Sequence, residues 1–562
     1  MPNEIYHKSH WGNANAEGFG DVYFDAAATN KLYNHSDYYE NSWGTDKILR
    51  DLSNKASIVL TPTAYSNGSL NTVIPPYQAL TTELVTNGSF DTDSDWSKDA
   101  GWTISNGTAI CNGLGINSLQ QSGITTVGKV YKLTFDVLDS NNFDFVVIST
   151  NFGDTYVDAD LNNAVVLGKN TFYIKPTNGT GIRFRVSNGT TLSIDNVSIK
   201  EIQEADFDFS RGSSATRVNE KGLIESIASG LPRIDYTSGF GSLLLEPSRT
   251  NLNTYSEDLT NRWTTSAATV TADTQISPDG SQTADTITVT QNGGGIYSND
   301  ITVTASTSYT FSFYVKRGTV PDDETALAVR NQTAGAFISL DISYSADTDN
   351  WTRIEYTFTT PVGCTSVRLY PQRLGSGGQG TIFLWGCQLE VGSYVTSYIP
   401  TSGSTVTRSA DVANNSGNAD LINSTEGVLY ANIAALADDG TARTISINNT
   451  VSNRVFLQFR TATGQVNSGV VVGGSLQGSA MSYSISQTSN IKLAIKYKLN
   501  DFALWVNGIE VGTSTGNVFS SGTLNDLSFD SGDGAEDFYG KTKELAVFKE
   551  ALTDAELQQL TS

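Results

Sequence analysis

Histidine, cysteine and clustered positive charge are all scarce in this 562-residue chain, and each scarcity removes a class of function. Nucleophilic hydrolysis by a Ser-His-Asp or Cys-His set needs a histidine beside the nucleophile. The only histidines, His7, His10 and His35, lie in the first 35 residues, away from the β-rich remainder. Cys111, Cys364 and Cys387 are odd in number and form no CxxC pair, which argues against a disulfide framework and a structural zinc site. Buried, reduced thiols are expected instead. Nucleic-acid binding needs dense cationic patches; here Lys and Arg form no runs and the formal net charge is -23. No stretch approaches the roughly 18 apolar residues of a membrane span. The opening Met1-Pro2-Asn3-Glu4 lacks the basic-then-apolar pattern of a signal peptide.

Glycine is plentiful, at 51 residues, and Asn, Ser and Thr are abundant, while charged residues make up only 17%. That balance suits strands and tight turns better than long helices. The length allows three or four domains, each able to bury a core. Residues 1–83 read as an irregular arm holding Trp11, Phe19, Tyr23, Phe24, Tyr33, Tyr38, Tyr39 and Trp43 without period. A short helix from Thr45 follows, with Ile48, Leu49 and Leu52 on one face, then a hairpin from Ser57 to Pro75 turning at Asn67-Gly68. Residues 84–203 form a first β unit, with period-two strands at Tyr131, Leu133, Phe135, Val137 and at Leu192, Ile194. Residues 204–249 read as a connector. Residues 250–402 repeat the first unit: Tyr309, Phe311, Phe313 and Val315 echo the Tyr131 strand, and Trp263 echoes Trp96. In residues 403–562, Ile491, Leu493, Ile495 and Tyr497 alternate with lysines, giving one dry and one wet face. Thr553 and Glu556 make a capping box for a short C-terminal helix whose Leu557 and Leu560 can face a sandwich.

Three signatures carry a resemblance. Leu84-Val85-Thr86-Asn87-Gly88-Ser89-Phe90-Asp91, with Trp96, Trp102 and the closing Ile194-Asp195-Asn196-Val197-Ser198-Ile199, resembles jelly-roll carbohydrate-binding modules. Trp505-Val506-Asn507-Gly508 with Glu544-Leu545-Ala546-Val547-Phe548 and Ala551-Leu552-Thr553-Asp554-Ala555-Glu556-Leu557 resembles laminin-G-like or concanavalin A-like sandwiches. The third is the most specific. It comprises Ala215-Thr216-Arg217-Val218-Asn219, Pro232-Arg233-Ile234-Asp235-Tyr236, Leu243-Leu244-Leu245-Glu246-Pro247-Ser248-Arg249-Thr250-Asn251, Leu384-Trp385-Gly386-Cys387-Gln388-Leu389-Glu390 and Ser397-Tyr398-Ile399-Pro400-Thr401. It resembles bacteriophage virion proteins of head and tail fibres. The resemblance implies an all-β chain: tandem jelly-roll β-sandwiches plus a concanavalin A-like sandwich, an anchoring arm and a C-terminal helix. It implies a structural, non-enzymatic appendage on the virion surface, made in the host cytoplasm and released by lysis. Its partners would be other virion proteins through residues 1–83, further copies of itself in a dimer or trimer, and surface glycans. A bacterial carbohydrate-binding adhesin and a glycan-degrading tail protein stay open, since two carboxylates at a set separation suffice for glycoside hydrolysis.

Sugar recognition needs exposed rings for stacking and polar groups for hydroxyls. The candidates are Trp102, Tyr156, Trp263, Trp351, Tyr370 and Arg373, each with core burial as the alternative. Asp91, Asp93 and Asp95 open like a calcium loop, but Trp96 and Trp102 stand where Gly and Glu are required, so no EF-hand forms. The carbohydrate-binding resemblance instead implies a structural calcium at Asp91 and Asp195. Asp530, Asp533, Glu536 and Asp537 crowd one loop, read as a solvated acidic turn or a calcium site. Gly293-Gly294-Gly295 precedes no helix and is no phosphate loop. No other cofactor is implied.

Overall fold

The computed structural model describes residues 80–562 except 128–130, 143–145, 150–164, 175, 177–179, 203–204, 292 and 374–378. Before residue 80 it describes Leu52, Lys55 and the strands Val22–Asp25, Lys31–Asn34, Ala56–Leu60, Tyr65–Ser66 and Ser69–Leu70. Among these residues the elements are strands, apart from helical Leu52, the 3-10 turn Asp322–Glu324 and the helix Asp554–Thr561. The histidines and the start of the helix expected from Thr45 lie outside the described residues. No described helix is long and apolar enough to cross a membrane.

The internal repeat is real strand by strand. In the first sandwich, Tyr131–Ser140 runs between Gly168–Ile174 and Leu192–Ile202. The sheet continues through Thr108–Cys111 to Trp102–Ser105. In the second, Ser308–Arg317 runs between Thr352–Thr359 and Gly380–Val391, continuing through Ala284–Val289 to Ala268–Gln275. Period-two alternation turns Tyr131, Leu133, Phe135 and Val137 into one core, and Tyr309, Phe311, Phe313 and Val315 into the other. Even single hydrogen bonds recur. The Trp96 indole donates to the Asn87 carbonyl at 3.0 Å, and the Trp263 indole to the Tyr255 carbonyl at 3.0 Å. Thr126 N donates to Tyr131 Oη at 2.7 Å and Thr304 N to Tyr309 Oη at 2.8 Å. The entry tryptophan and first-strand tyrosine therefore anchor loops by their polar ends while their rings fill the core.

The third sandwich is built from more of the chain than residues 403–562. Its eight-stranded sheet is organised on Gly540–Phe548. One side of that strand pairs with Glu426–Ala435. The other side is completed end to end by two distant segments. Leu243–Leu245 lie opposite Thr542–Gly540, and Ala56–Leu60 lie opposite Phe548–Leu545. The expected hairpin from Ser57 to Pro75 is thus corrected. Ser66 does pair with Ser69 across the Asn67-Gly68 position, but Ala56–Leu60 leaves for the large sheet. The reason is burial on both faces: Ile58 and Leu60 enter the sandwich core, Ala56 and Val59 the cluster on the opposite face.

The expected wet face of Ile491–Lys498 also needs correction. The C-terminal helix covers it: Leu557 and Leu560 share a cluster with Ala494, Ala503 and Trp505. Lys496 is consequently buried and pairs with Asp501 at 2.9 Å and Asp554 in the helix's first turn at 3.6 Å. The helix itself is as expected, with the Thr553–Glu556 capping box closed and Leu557 and Leu560 buried. The three cysteines are free and buried.

Residues 204–249 do far more than connect. The hairpin Ala215–Val218/Ile224–Ile227 docks on the second sandwich, where Ile224 joins Trp385 and Tyr398 in a small cluster. Phe207 and Phe209, with Ile234, Leu243 and Leu245, enter the third sandwich's core. Where these meet, charged side chains are wholly dry. Arg233 donates to Glu246 at 2.7 Å and to Asp411. Arg211 donates to Asp411 at 3.0 Å, and Arg408 sits 2.9 Å from Glu246. Ser397 N and Oγ both donate to Glu246 at 2.7 Å. Burial alone would raise the Glu246 carboxyl; Arg408 and Arg233 instead hold it down at about 2. The most specific sequence signature is therefore a structural lock between two sandwiches.

Candidate glycan-binding face

The sequence candidates scatter. Trp102 and Trp263 are buried, at 2% and 8% exposure, in the first and second cores. Neither ring offers a face to a ligand, because both lie on core positions of their strands. Trp263→Ala is accordingly expected to cost about 3–5 kcal/mol of stability, read in urea unfolding. Trp351 is half-buried beside the connector-facing cluster of Trp385 and Tyr398, its indole donating to the Ile276 carbonyl at 2.8 Å and Lys316 over its ring. Tyr156 lies outside the described residues. Only Tyr370 and Arg373 come together.

They meet on the outer face of the second sandwich. Ser366–Tyr370 alternates, with Val367 and Leu369 in the core and Arg368 and Tyr370 outward and half-buried. The same alternation in Gly295–Ser298 turns Ile296 inward and Tyr297 outward. Across the sheet, Arg330 lies opposite Arg368 on one side and Phe337 on the other. The Tyr297 and Tyr370 ring centres are 5.1 Å apart, and those of Phe337 and Tyr370 5.8 Å. Guanidiniums stand over these rings: Arg368 over Tyr297 at 5.3 Å, Arg330 and Arg373 over Phe337 at 5.8 and 4.3 Å. Asp300 accepts from Arg368 at 2.5 Å and Asp341 from Arg373 at 3.3 Å. Three adjoining rings rimmed by hydrogen-bonding groups make a surface on which sugar rings can stack. Tyr297, Phe337, Arg330 and Arg368 went unrecognised in the sequence. Their signal is an aromatic or arginine at the wet position of a period-two strand.

The corresponding face of the first sandwich is different. Gln120 lies opposite Arg183, and Ser118 opposite Arg185. No aromatic stands on these four positions, so the two sandwiches share a fold without sharing this surface.

A separate cleft of about 520 Å³ is lined by Tyr255, Glu257, Asp258, Asp273, Asp285 and Pro400. Its deeper carboxylates already serve the fold. Asp285 accepts from Leu259 N at 2.8 Å and Asp273 N at 3.0 Å, and Glu257 from the Tyr398 hydroxyl at 2.8 Å. Burial pushes the Asp285 carboxyl up to about 6. With these groups engaged, the cleft is a weaker candidate than the ring platform.

For metals, no group of three or more His, Cys, Asp or Glu side chains is placed to hold an ion among the described residues. Exposed Asp91 accepts from Ser89 Oγ at 2.8 Å, and half-buried Asp195 from Asn196 N at 2.7 Å. In the acidic loop, Asp530 accepts from Asn414 and Gly532, Asp533 from Ser531 and Ala535, Glu536 from Thr444 and Gln458, and Asp537 from Tyr539. Asp530 is buried and braces the turn, while Asp533 and Glu536 stand exposed, as a solvated acidic turn requires. Burial raises the pKa of Asp530 and Asp537.

Known proteins bear on this chain as follows. Among solved structures, a leech intramolecular trans-sialidase matches at 16% identity with a TM-score of 0.20, over 25% of this chain and 23% of the enzyme. The CBM22-1 xylan-binding domain of Paenibacillus barcinonensis Xyn10C matches at 14% identity and TM-score 0.20, over 26% of this chain and 94% of that domain. The CBM22-1-CBM22-2 tandem of the same protein matches at 9% and 0.21, over 56% of this chain and 99% of that one. At these scores the structural likenesses carry no argument about ligand or activity. No curated protein matches. Residues 251–372, the segment carrying Tyr297, Arg330, Phe337, Arg368 and Tyr370, match the family model of the CBM_4_9 carbohydrate binding domain.

Proposed function

We propose that this chain is a non-catalytic glycan-binding adhesin whose second sandwich seats saccharide across Tyr297, Phe337 and Tyr370. The observation carrying this reading is that the ring platform lies inside the segment matching a carbohydrate binding domain. In this reading the second sandwich binds, while the first and the larger third, read as laminin-G or concanavalin A-like, position it. Stacking is worth about 0.5–1.5 kcal/mol per aromatic pair. The double variant Tyr297→Ala/Tyr370→Ala should therefore lose roughly tenfold or more in affinity for whichever sugars a glycan array identifies. Its thermal unfolding midpoint should fall only slightly, by the few degrees that loss of one surface ring pair implies, since neither ring belongs to a core. Undiminished array binding by the variant would sink the assignment.

A more specific reading is that the chain is a phage virion appendage, oligomeric so that weak sugar sites act together. It is favoured by the connector signature, from Ala215 to Thr401, and by nothing in the binding face. Locating the chain on intact particles by cryo-electron microscopy tests it; a chain found on no particle removes it.

A further inference from the structure

We infer that the platform takes an acidic saccharide, one whose sugar carries an oxyanion such as a uronic-acid carboxylate. This rests on the glycan-binding reading above and adds the ligand's charge. The argument begins with register. Arg330 and Arg368 are directly opposite on neighbouring antiparallel strands and both turn outward. Like charges in that position repel and destabilise a sheet. Arg373 brings a third guanidinium to the same rings.

Among the described residues, two of the three have carboxylate partners on this face. Asp300 pairs with Arg368 and Asp341 with Arg373, all four side chains being partly exposed. Arg330 donates Nη2 to the Gly335 carbonyl at 3.1 Å, and its buried Nε meets no acceptor. The adjoining Leu374-Gly375-Ser376-Gly377-Gly378 adds no charge. A chain of net charge -23 thus gathers on one sheet face three cations against two anions. A guanidinium set against an aromatic ring keeps its N–H groups in the plane, so those not already taken by Asp300, Asp341 and the Gly335 carbonyl can meet a planar oxyanion. A carboxylate between Arg330 and Arg368 would relieve their repulsion, while the sugar ring that bears it lies on Tyr297 and Tyr370. A neutral sugar gains the stacking but leaves the repulsion in place.

The test uses the full chain and matched polymers: polygalacturonate, alginate and hyaluronate, each beside the same polymer with its carboxyl groups reduced to neutral hydroxymethyls. Binding of an acidic form roughly tenfold or more above its reduced counterpart, weakening as salt is raised, is the expected result. Arg330→Gln should abolish most of that preference while leaving thermal stability equal or higher, because it removes a like-charge pair. A lowered melting temperature with the preference intact would make Arg330 structural and overturn the inference. Equal or better binding of a reduced polymer would overturn the acidic-ligand inference and leave glycan binding standing. Failure to bind any polymer, acidic or reduced, together with a blank glycan array, would overturn both.

Discussion

Arg233→Met should destabilise the protein by about 3–5 kcal/mol, the usual consequence of removing one partner from a buried ion pair. Arg233 is wholly buried, touching Glu246, Asp411, the Thr216 carbonyl and Ser397. Methionine fills much of the volume but leaves two carboxylates dry, each with one arginine fewer. Salt should not rescue the variant, because screening acts weakly on charges shielded from solvent. The same lock predicts an acid limb. Glu246 is held at about 2 in the fold, by Arg408 and Arg233 acting against burial, whereas its ordinary value is 4.5. A carboxyl depressed on folding stabilises above its unfolded value, and that stabilisation drains away as pH falls from 4.5 towards 2. The difference corresponds to about 3 kcal/mol. Glu246→Gln should flatten this limb while lowering stability at neutral pH. Urea unfolding from pH 2 to 7 reads both effects. An Arg233→Met midpoint within ~0.5 kcal/mol of the parent would show that the lock contributes little.

Much of the architecture was legible because strands write themselves in period two. The Tyr131 and Tyr309 strands, the repeat they head and the C-terminal capping box stand as read. What escaped is what the sequence does not order locally. Ser57-Ile58-Val59-Leu60 reads equally as a hairpin arm or as a strand buried on both faces; only its distant partner, Leu545–Phe548, decides. Lys492, Lys496 and Lys498 read as a wet face because the covering helix lies some 60 residues on. The connector motifs were recognised as specific, but their specificity is that of a charge lock assembled from positions 211, 233, 246, 408 and 411. Among the site candidates, Trp102 and Trp263 are core residues by register, the burial that stood as the alternative for each candidate, while the rings of the proposed platform are the tyrosines and phenylalanine at outward positions beside arginines.

Deleting residues 1–75 should abolish the cooperative unfolding of the third sandwich, although they fall within the stretch 1–83 that reads as an anchoring arm. Ile58, Leu60 and Leu70 belong to that sandwich's core, and Leu52 and Val59 to the cluster beneath the C-terminal helix. Each large apolar side chain contributes about 1.5–3 kcal/mol on burial, so five contribute on the order of 10 kcal/mol as an upper estimate. That is comparable to the whole stability of a typical domain, about 5–15 kcal/mol. The deletion also strips Leu545–Phe548 of one of its two neighbours, leaving an open apolar strand edge of the kind that templates aggregation. Loss of the corresponding calorimetric transition and concentration-dependent association are therefore expected together. Ile58→Asp, which keeps the chain length and places one charge in the same core, should reproduce the first effect. A truncated chain that stays monomeric and keeps its full set of transitions would show that Ala56–Leu60 is dispensable. Residues 1–75 would then be free to act as an anchor on another protein, whereas the observed burial of Leu52, Ala56–Leu60 and Leu70 makes those residues a structural part of the third sandwich.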